Sequence, residues 1–193
     1  MHEEVAPDSK LVYALYFHNV PFQRANNQKG IRGLSLSLTI LVGTMTGTAE
    51  MVAQELQTVL EAAGHAVSIR MMDDLEAGVF QPGGTFLVCT STYGQGDVPD
   101  NAQEFFASLE RERPGLSAVR YGLIALGDTT YKDTFCEGGI RFDNLLTELG
   151  AHRVGEILKH DASSGTLPEE VAAQWIVPWA EMAEVKLEGS ERQ

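Results

Sequence analysis

The chain has 193 residues and a mass of 21.0 kDa, which suits one ordinary domain able to bury about two-thirds of its unfolded surface. Acids outnumber bases 27 to 14, a net charge of −13, and so acidic a body is repelled by nucleic acid and by anionic membrane surfaces. Two cysteines, Cys89 and Cys136, make neither a disulfide framework nor a metal site, and a reducing, cytoplasmic setting is expected.

The charge is uneven along the chain. Residues 1–36 hold four bases and three acids, whereas the other 157 hold 10 and 24, a net of −14. This first stretch is rich in Asn, Gln and Arg and lacks helical period or caps. It is expected to be a disordered or loosely docked extension, or an over-extended gene start. Its longest apolar run, Leu11 to Phe17, is too short to span a bilayer. Glu3, Glu4 and Asp8 stand where a secretory signal would be basic.

From Leu38 the pattern becomes regular. Leu38 to Val42 reads as a buried strand. Val52, Leu56, Val59, Leu60 and Ala63 recur at helical spacing until Gly64 stops the helix. Ala66 to Ile69 is a weaker second strand. Thr85 to Thr90 is a third, opened by the turn residues Pro82-Gly83-Gly84. Ala102, Phe105, Phe106 and Leu109 mark one helix face, and Phe142, Leu145, Leu146 and Leu149 another. Between them Tyr121 to Leu126 is the fourth strand, and Arg153 to Leu158 is the fifth. A last helix from Pro168 places Val171, Trp175, Trp179 and Met182 on one face and contains Pro178, which is expected to bend it.

Apolar strands alternating with amphipathic crossovers predict an α/β fold with a parallel sheet covered on both faces. The domain is expected over residues 37–187, with 188–193 as a tail. Ligands of such sheets bind beyond the carboxyl ends of the strands.

The first strand leaves into Gly43-Thr44-Met45-Thr46-Gly47-Thr48-Ala49-Glu50. A loop opening a helix presents unpaired amides and the positive end of the helix dipole. Three threonine hydroxyls and a permissive glycine make it a phosphate cradle without a cation. No lysine lies between Arg32 and Arg70, and no G-x-G-x-x-G is present, which excludes the P-loop and dinucleotide motifs. A plainer reading has Thr48 capping the helix. The third strand leaves into Ser91-Thr92-Tyr93-Gly94-Gln95-Gly96-Asp97, and the fourth into Gly127-Asp128-Thr129-Thr130-Tyr131. Two tyrosines on separate loops at one sheet edge can sandwich a planar ring.

These three motifs, with Asp100-Asn101, resemble the FMN-binding loops of the flavodoxin family. The likeness runs from about Leu38 to Met182 and is nearest to short, MioC-like flavodoxins and to the FMN domains of diflavin reductases. It implies a flavodoxin-like three-layer sandwich, with a five-stranded parallel sheet in the order 2-1-3-4-5 and helices on both faces. It further implies that Thr44, Thr46, Gly47 and Thr48, with the Met45 amide, hold the FMN phosphate. Tyr93 and Tyr131 would flank the isoalloxazine, and the Gly94 peptide would turn to accept a hydrogen bond from the reduced ring. Ser91, Thr92, Gly96, Gly127, Asp128 and Phe135 would complete the site. The family commonly has phenylalanine three residues after the second tyrosine, whereas Phe135 comes four after Tyr131. The passage from the fifth strand to Pro168 is too short for the insertion of long-chain flavodoxins.

The resemblance implies a redox carrier, not an enzyme with its own substrate. It would take single electrons from a separate NADPH-dependent flavodoxin/ferredoxin reductase and pass them to acceptor enzymes. The alternative is an FMN-dependent NAD(P)H:quinone oxidoreductase. A phosphorylated receiver domain is excluded, because Gly43-Thr44-Met45 and Thr90-Ser91-Thr92 stand where its aspartates belong. The acidic body and the tyrosine faces disfavour adding the second electron, so a low potential is expected for that step. Asp97, Asp100, Asp128, Asp133 and Glu137 are expected to form a rim that steers a basic partner. The protein is expected to be a monomer without metal. His65 and His152 read as surface turn residues. His160 and Asp161, adjacent on a strand, point to opposite faces, and Cys136 reads as a packed thiol.

Overall fold

A computed structural model describes residues 35–81 and 83–190. Its elements in chain order are β1 (Ser37–Gly43), α1 (Thr48–Ala62), β2 (Ala66–Met71), β3 (Gly84–Ser91), α2 (Asp100–Glu112) and β4 (Val119–Gly127). There follow α3 (Glu137–Glu148), β5 (His152–Arg153), β6 (Leu158–Asp161) and α4 (Pro168–Ser190). The sheet runs β2-β1-β3-β4-β5, with β6 also on β4, and every pairing is parallel. The expected order 2-1-3-4-5 is therefore present.

The period of two along each strand builds the two faces. Leu41, Val88 and Leu123 point to one side, where Phe105 and Phe106 of α2 and Phe142 of α3 cover them. Ile40, Val42, Leu87 and Ile124 point to the other, under Val52 and Leu56 of α1 and Ile176 and Trp179 of α4. The expected apolar faces of α2 and α3 are buried residue for residue. The weakness of the second strand has a simple cause: β2 is an edge strand, alternately exposed and half-buried.

The fifth strand departs from expectation. The continuous run Arg153 to Leu158 is broken into β5 and β6. Tyr121 is paired with Arg153, but Ile124 is paired with Leu158, so two extra residues bulge out between them. Trp179 explains the break. Its indole N–H donates to the Val154 carbonyl at 2.9 Å, and Gly155 turns with φ +69°. The same indole lies over Gly122, where a Cβ would stand 2.5 Å from Nε1. Gly122→Ala is expected to cost about 1–3 kcal/mol by overpacking, read as a lower urea midpoint at unchanged slope.

The face of α4 is also rotated from expectation. Ala172, Ile176, Trp179 and Ala183 are buried, whereas Met182 is 43% exposed and Val171 and Trp175 are half-buried. Small alanines bring the helix close to the sheet, and they carry little weight in a pattern of large apolar residues. The helix continues through Pro178 to Ser190, so residues 188–190 are helical and not tail.

The amino-terminal boundary shifts too. Leu36, assigned to the leader, is 1% exposed. Its carbonyl accepts from Ala66 N at 2.8 Å, and its N–H donates to His65 Nδ1 at 3.3 Å. His65 is therefore half-buried and engaged, not a free turn residue. The expectation for the rest of the leader lies outside the described residues. Among the described residues, no helix is long and apolar enough to cross a membrane, and no three potential metal ligands cluster.

Candidate functional site

The carboxyl ends of β1, β3 and β4 deliver the three loops to one edge of the sheet. The first loop is shaped by its own side chains. Gly47 sits at φ +88° as the residue before α1, and no side chain caps that helix. Thr48 is thus the first helical residue, and the capping reading fails. The first helical bond runs from Met51 N to Gly47 O at 3.0 Å, which leaves the amides of Thr48, Ala49 and Glu50 without helical acceptors. A Cβ on Gly47 would meet nothing within 4 Å, so the turn opens onto free space. Thr44 Oγ1 accepts from Gly47 N at 3.0 Å and holds the turn; its own hydroxyl hydrogen remains a donor. Thr46 and Thr48 bring their hydroxyls within 3.4 Å of each other.

The Thr44 amide itself is not available to a ligand. It donates to Asn101 Oδ1 at 2.7 Å, while Asn101 Nδ2 donates to the Val42 carbonyl at 3.2 Å. Asn101 thereby clasps the end of β1 from the start of α2. The Asp100 amide reaches Met45 Sδ at 3.4 Å, and Met45 is 40% exposed. Asn101 was part of the motif, but its reach across to β1 is not visible in a linear pattern.

The second loop closes into a tight turn. Tyr93 N donates to Asp97 O at 2.9 Å and Asp97 N to Tyr93 O at 2.8 Å. Gly96, at φ +96°, lets this turn approach α3, since a Cβ there would meet Glu137 Cγ at 3.0 Å. Gly94, at φ +53°, faces open space apart from the Asp97 carboxylate. Asp97 is ion-paired with Arg141 at 2.7 Å, and Arg141 lies over the Phe106 ring. The third loop is turned by Asp128, whose Oδ1 accepts from Thr130 N at 2.8 Å. Of the expected acidic rim, Asp97 therefore has its charge matched and Asp128 is bound to its own loop.

Between these loops lies a cleft of about 450 Å³. It is lined by Thr48, Ser91, Thr92, Tyr93, Gly94, Gly127, Asp128 and Tyr131 from the expected set. That volume is within the range of small-ligand sites. Tyr93 is 48% and Tyr131 68% exposed, so both rings are available at the mouth of the cleft. Leu126, Thr134 and Ala162 also line the cleft and are not among the expected site residues. Thr44, Met45, Thr46 and Gly47 form the cradle outside it. Gly96 and Phe135 do not line it: they support it, and the Phe135 ring lies 3.0 Å from where a Gly127 Cβ would stand. The extra residue after Tyr131 is absorbed in a short 3₁₀ turn, Lys132–Thr134.

The remaining titratable candidates are structural. Cys136, at φ +60°, donates its thiol to the Ala125 carbonyl at 3.2 Å. Burial pushes the Cys136 thiol up to about 11 and that of Cys89 to about 12, so both stay protonated and inert at neutral pH. His160 is buried against Thr166, while Asp161 turns the other way, to Thr129. A larger depression, about 1040 Å³, opens at the opposite edge of the sheet, lined by Ser117, Arg120, Asp143, His152 and Arg153 among others. Asp143 there is taken by Arg153 and by the Tyr121 hydroxyl, both at 2.6 Å.

Comparison with known proteins agrees with this geometry. The flavodoxin family model matches residues 40–175. Flavodoxin YqcA of Pectobacterium carotovorum is 42% identical over 148 residues, which is 76% of this chain and 97% of that protein. Protein MioC of Escherichia coli is 36% identical over 148 residues, covering 75% of this chain and 97% of its own length. The solved structure of an alanine-for-cysteine variant of a flavodoxin from Pseudomonas aeruginosa matches with a TM-score of 0.67 at 36% identity, over 77% of this chain and 99% of that one. The family match spans more than half of the chain and the relatives are covered almost end to end, so the chain belongs to the flavodoxin family of FMN-binding electron-transfer proteins.

Proposed function

We propose that this chain holds FMN with its phosphate at the Thr44–Thr48 turn and its ring between Tyr93 and Tyr131, and relays single electrons between separate proteins. The observation that carries this reading is one of position. The uncapped start of α1 opens at the same sheet edge as the cleft between the two exposed tyrosines. The residues fit the cofactor, since free amides and threonine hydroxyls suit a phosphate and tyrosine faces suit a flat aromatic ring.

FMN supplies the redox chemistry when bound. The chain's own groups bind and orient. Thr46, Thr48 and the first amides of α1 take the phosphate oxygens. Ser91, Thr92, Gly127 and Asp128 line the middle of the cleft, and Gly94 leaves a peptide free to turn beside the ring. Asn101, Gly96 and Phe135 hold these loops from behind. Tyr93 and Tyr131, themselves exposed, would flank the ring and leave it within reach of a partner.

The electron donor in this reading is a separate NADPH-dependent reductase with a basic face, and the protein acts as a cytoplasmic monomer. The net charge of −13 favours such a partner, as do Asp100 and Asp133, which have no cationic partner among the described residues. The test is direct. The purified protein is expected to be yellow with one FMN per chain, to oxidise no NADPH alone, and to accept electrons once a reductase is added. The reductase-dependent rate is expected to fall by roughly tenfold or more between low and high salt, as steered association does. A colourless protein that rejects FMN would refute the site, and a salt-independent rate would refute the charged docking.

A further inference from the structure

We propose that Asp161 is the positioning residue of the third flavin loop: its carboxylate clamps Thr129 and so fixes Tyr131, two residues on, for stacking. The proposal rests on the reading of the cleft as the FMN site. Asp161 is the last residue of β6 and is paired in register with Gly127, where the loop leaves β4. It therefore stands at the same sheet edge as the three motif loops but on none of them.

Apart from a hydroxyl contact between Thr129 and Ser163 at 3.0 Å, the loop's other bonds among the described residues close it upon itself. Thr130 N donates to Asp128 Oδ1 at 2.8 Å, Tyr131 N to Asp128 O at 3.0 Å and Thr134 N to Tyr131 O at 3.0 Å. Asp161 ties it to the sheet. Oδ1 accepts from Thr129 N at 3.0 Å, and Oδ2 accepts from Thr129 Oγ1 at 2.6 Å. The carboxylate is held in turn from its own side, for Oδ1 also accepts from Ser163 N at 2.9 Å and Ser163 Oγ at 2.8 Å. The adjoining turn is secured by Ser164 Oγ and Thr166 Oγ1 at 2.7 Å, and Thr166 meets the ring of buried His160. The two hydrogen-bonded groups meet only along the chain, at Ser163–Ser164, and together flank the loop that carries Tyr131, the most exposed tyrosine among the described residues.

The bonds from Ser163 N and Oγ cap the 3₁₀ turn Ala162–Ser164, and the two from Thr129 carry the same carboxylate across to the loop. The Thr129 hydroxyl bond, with the amide bonds behind it, holds this carboxyl well below the usual carboxylate range, so the clamp is ionised at any physiological pH. Bonds to a charged acceptor are the stronger kind, which suits a group that must restrain an otherwise exposed loop.

The experiment titrates FMN into apoprotein for the wild type, D161A, D161N, T129V and Y131A. It reads affinity, residual fluorescence of the bound flavin, and melting of each apoprotein. D161A is expected to weaken FMN by roughly tenfold or more, with bound-flavin fluorescence rising toward that of Y131A as tyrosine quenching is lost. D161N keeps an oxygen for the two backbone N–H groups and is expected to stay within about threefold. T129V loses the hydroxyl's bond to Asp161 and its contact with Ser163 but keeps the backbone bond, and is expected to fall between them. D161A apoprotein is expected to melt below D161N, which keeps the Oδ1 bonds, so affinity and quenching are compared at a temperature where both are folded. Wild-type affinity and quenching in D161A, alongside weakened binding in Y131A, would overturn the clamp and leave the cleft reading intact. Unchanged affinity in Y131A as well would overturn both. If D161A does not fold, T129V decides: wild-type affinity and quenching there would overturn the clamp.

Discussion

Trp179→Ala is expected to lower the unfolding free energy by about 3–5 kcal/mol, the range for deleting a large buried aromatic ring. Trp179 is fully buried and is the largest such side chain among the described residues. It fills the space left by Gly122, stacks on Trp175 with ring centroids 5.8 Å apart, and takes the Val154 carbonyl freed where the fifth strand breaks. The alanine variant loses all three, and its small side chain leaves a cavity beside a rigid sheet. Trp179→Phe separates the contributions. It keeps a ring over Gly122 but leaves the Val154 carbonyl unpaired in the core, at a cost of about 1–3 kcal/mol. Urea unfolding of the apoprotein reads both, and for a domain of this size the alanine variant should melt roughly 10 °C or more below the wild type. An alanine variant within about 1 kcal/mol of the wild type would show that Trp179 does not hold α4 and the strand break together.

Riboflavin, which differs from FMN only by lacking the phosphate, is expected to bind at least about a hundredfold more weakly. The amides of Thr48, Ala49 and Glu50 have no helical acceptor, and Gly47 leaves their approach open. A phosphate there gains charge-assisted hydrogen bonds, about 1.5–3 kcal/mol each, together with the helix dipole. Two such bonds already exceed the hundredfold. Calorimetric titration of the apoprotein with each flavin measures the ratio. Thr46→Val should narrow it by weakening FMN alone, because riboflavin has nothing to place at Thr46. Equal affinities for the two flavins would place the phosphate elsewhere or remove it from recognition.

The three loops were legible in the sequence because each is a short local pattern at a strand end. Gly47 at φ +88° and the threonines beside it do what such residues do in any loop that opens a helix. Asn101 and Asp161 were harder to see. Asn101 bonds Thr44 from 57 positions away, and Asp161 bonds Thr129 from 32. No spacing rule reports a hydrogen bond across a crossover helix. Phe135 and Gly96 were legible as motif residues, but their place behind the cleft follows from how α3 approaches the β3 and β4 loops.

The sequence by itself determined the alternation of strands and helices, the two-sided burial of the sheet and the edge at which the three motif loops gather. Those depend on the hydrophobic period and on chain direction, which are local. It also separated an almost neutral first stretch from a strongly acidic body. Only the tertiary structure decided where the fifth strand breaks, because one indole N–H competes with β4 for the Val154 carbonyl. Only it decided which face of α4 is buried, since alanines permit a close approach that their hydrophobicity does not advertise. The same holds for the charge of the flavin-side rim. Asp97 reads as free in a linear sequence, but folding sets Arg141 of α3 at 2.7 Å from it, because two residues 44 apart meet only when α3 packs under the β3 loop.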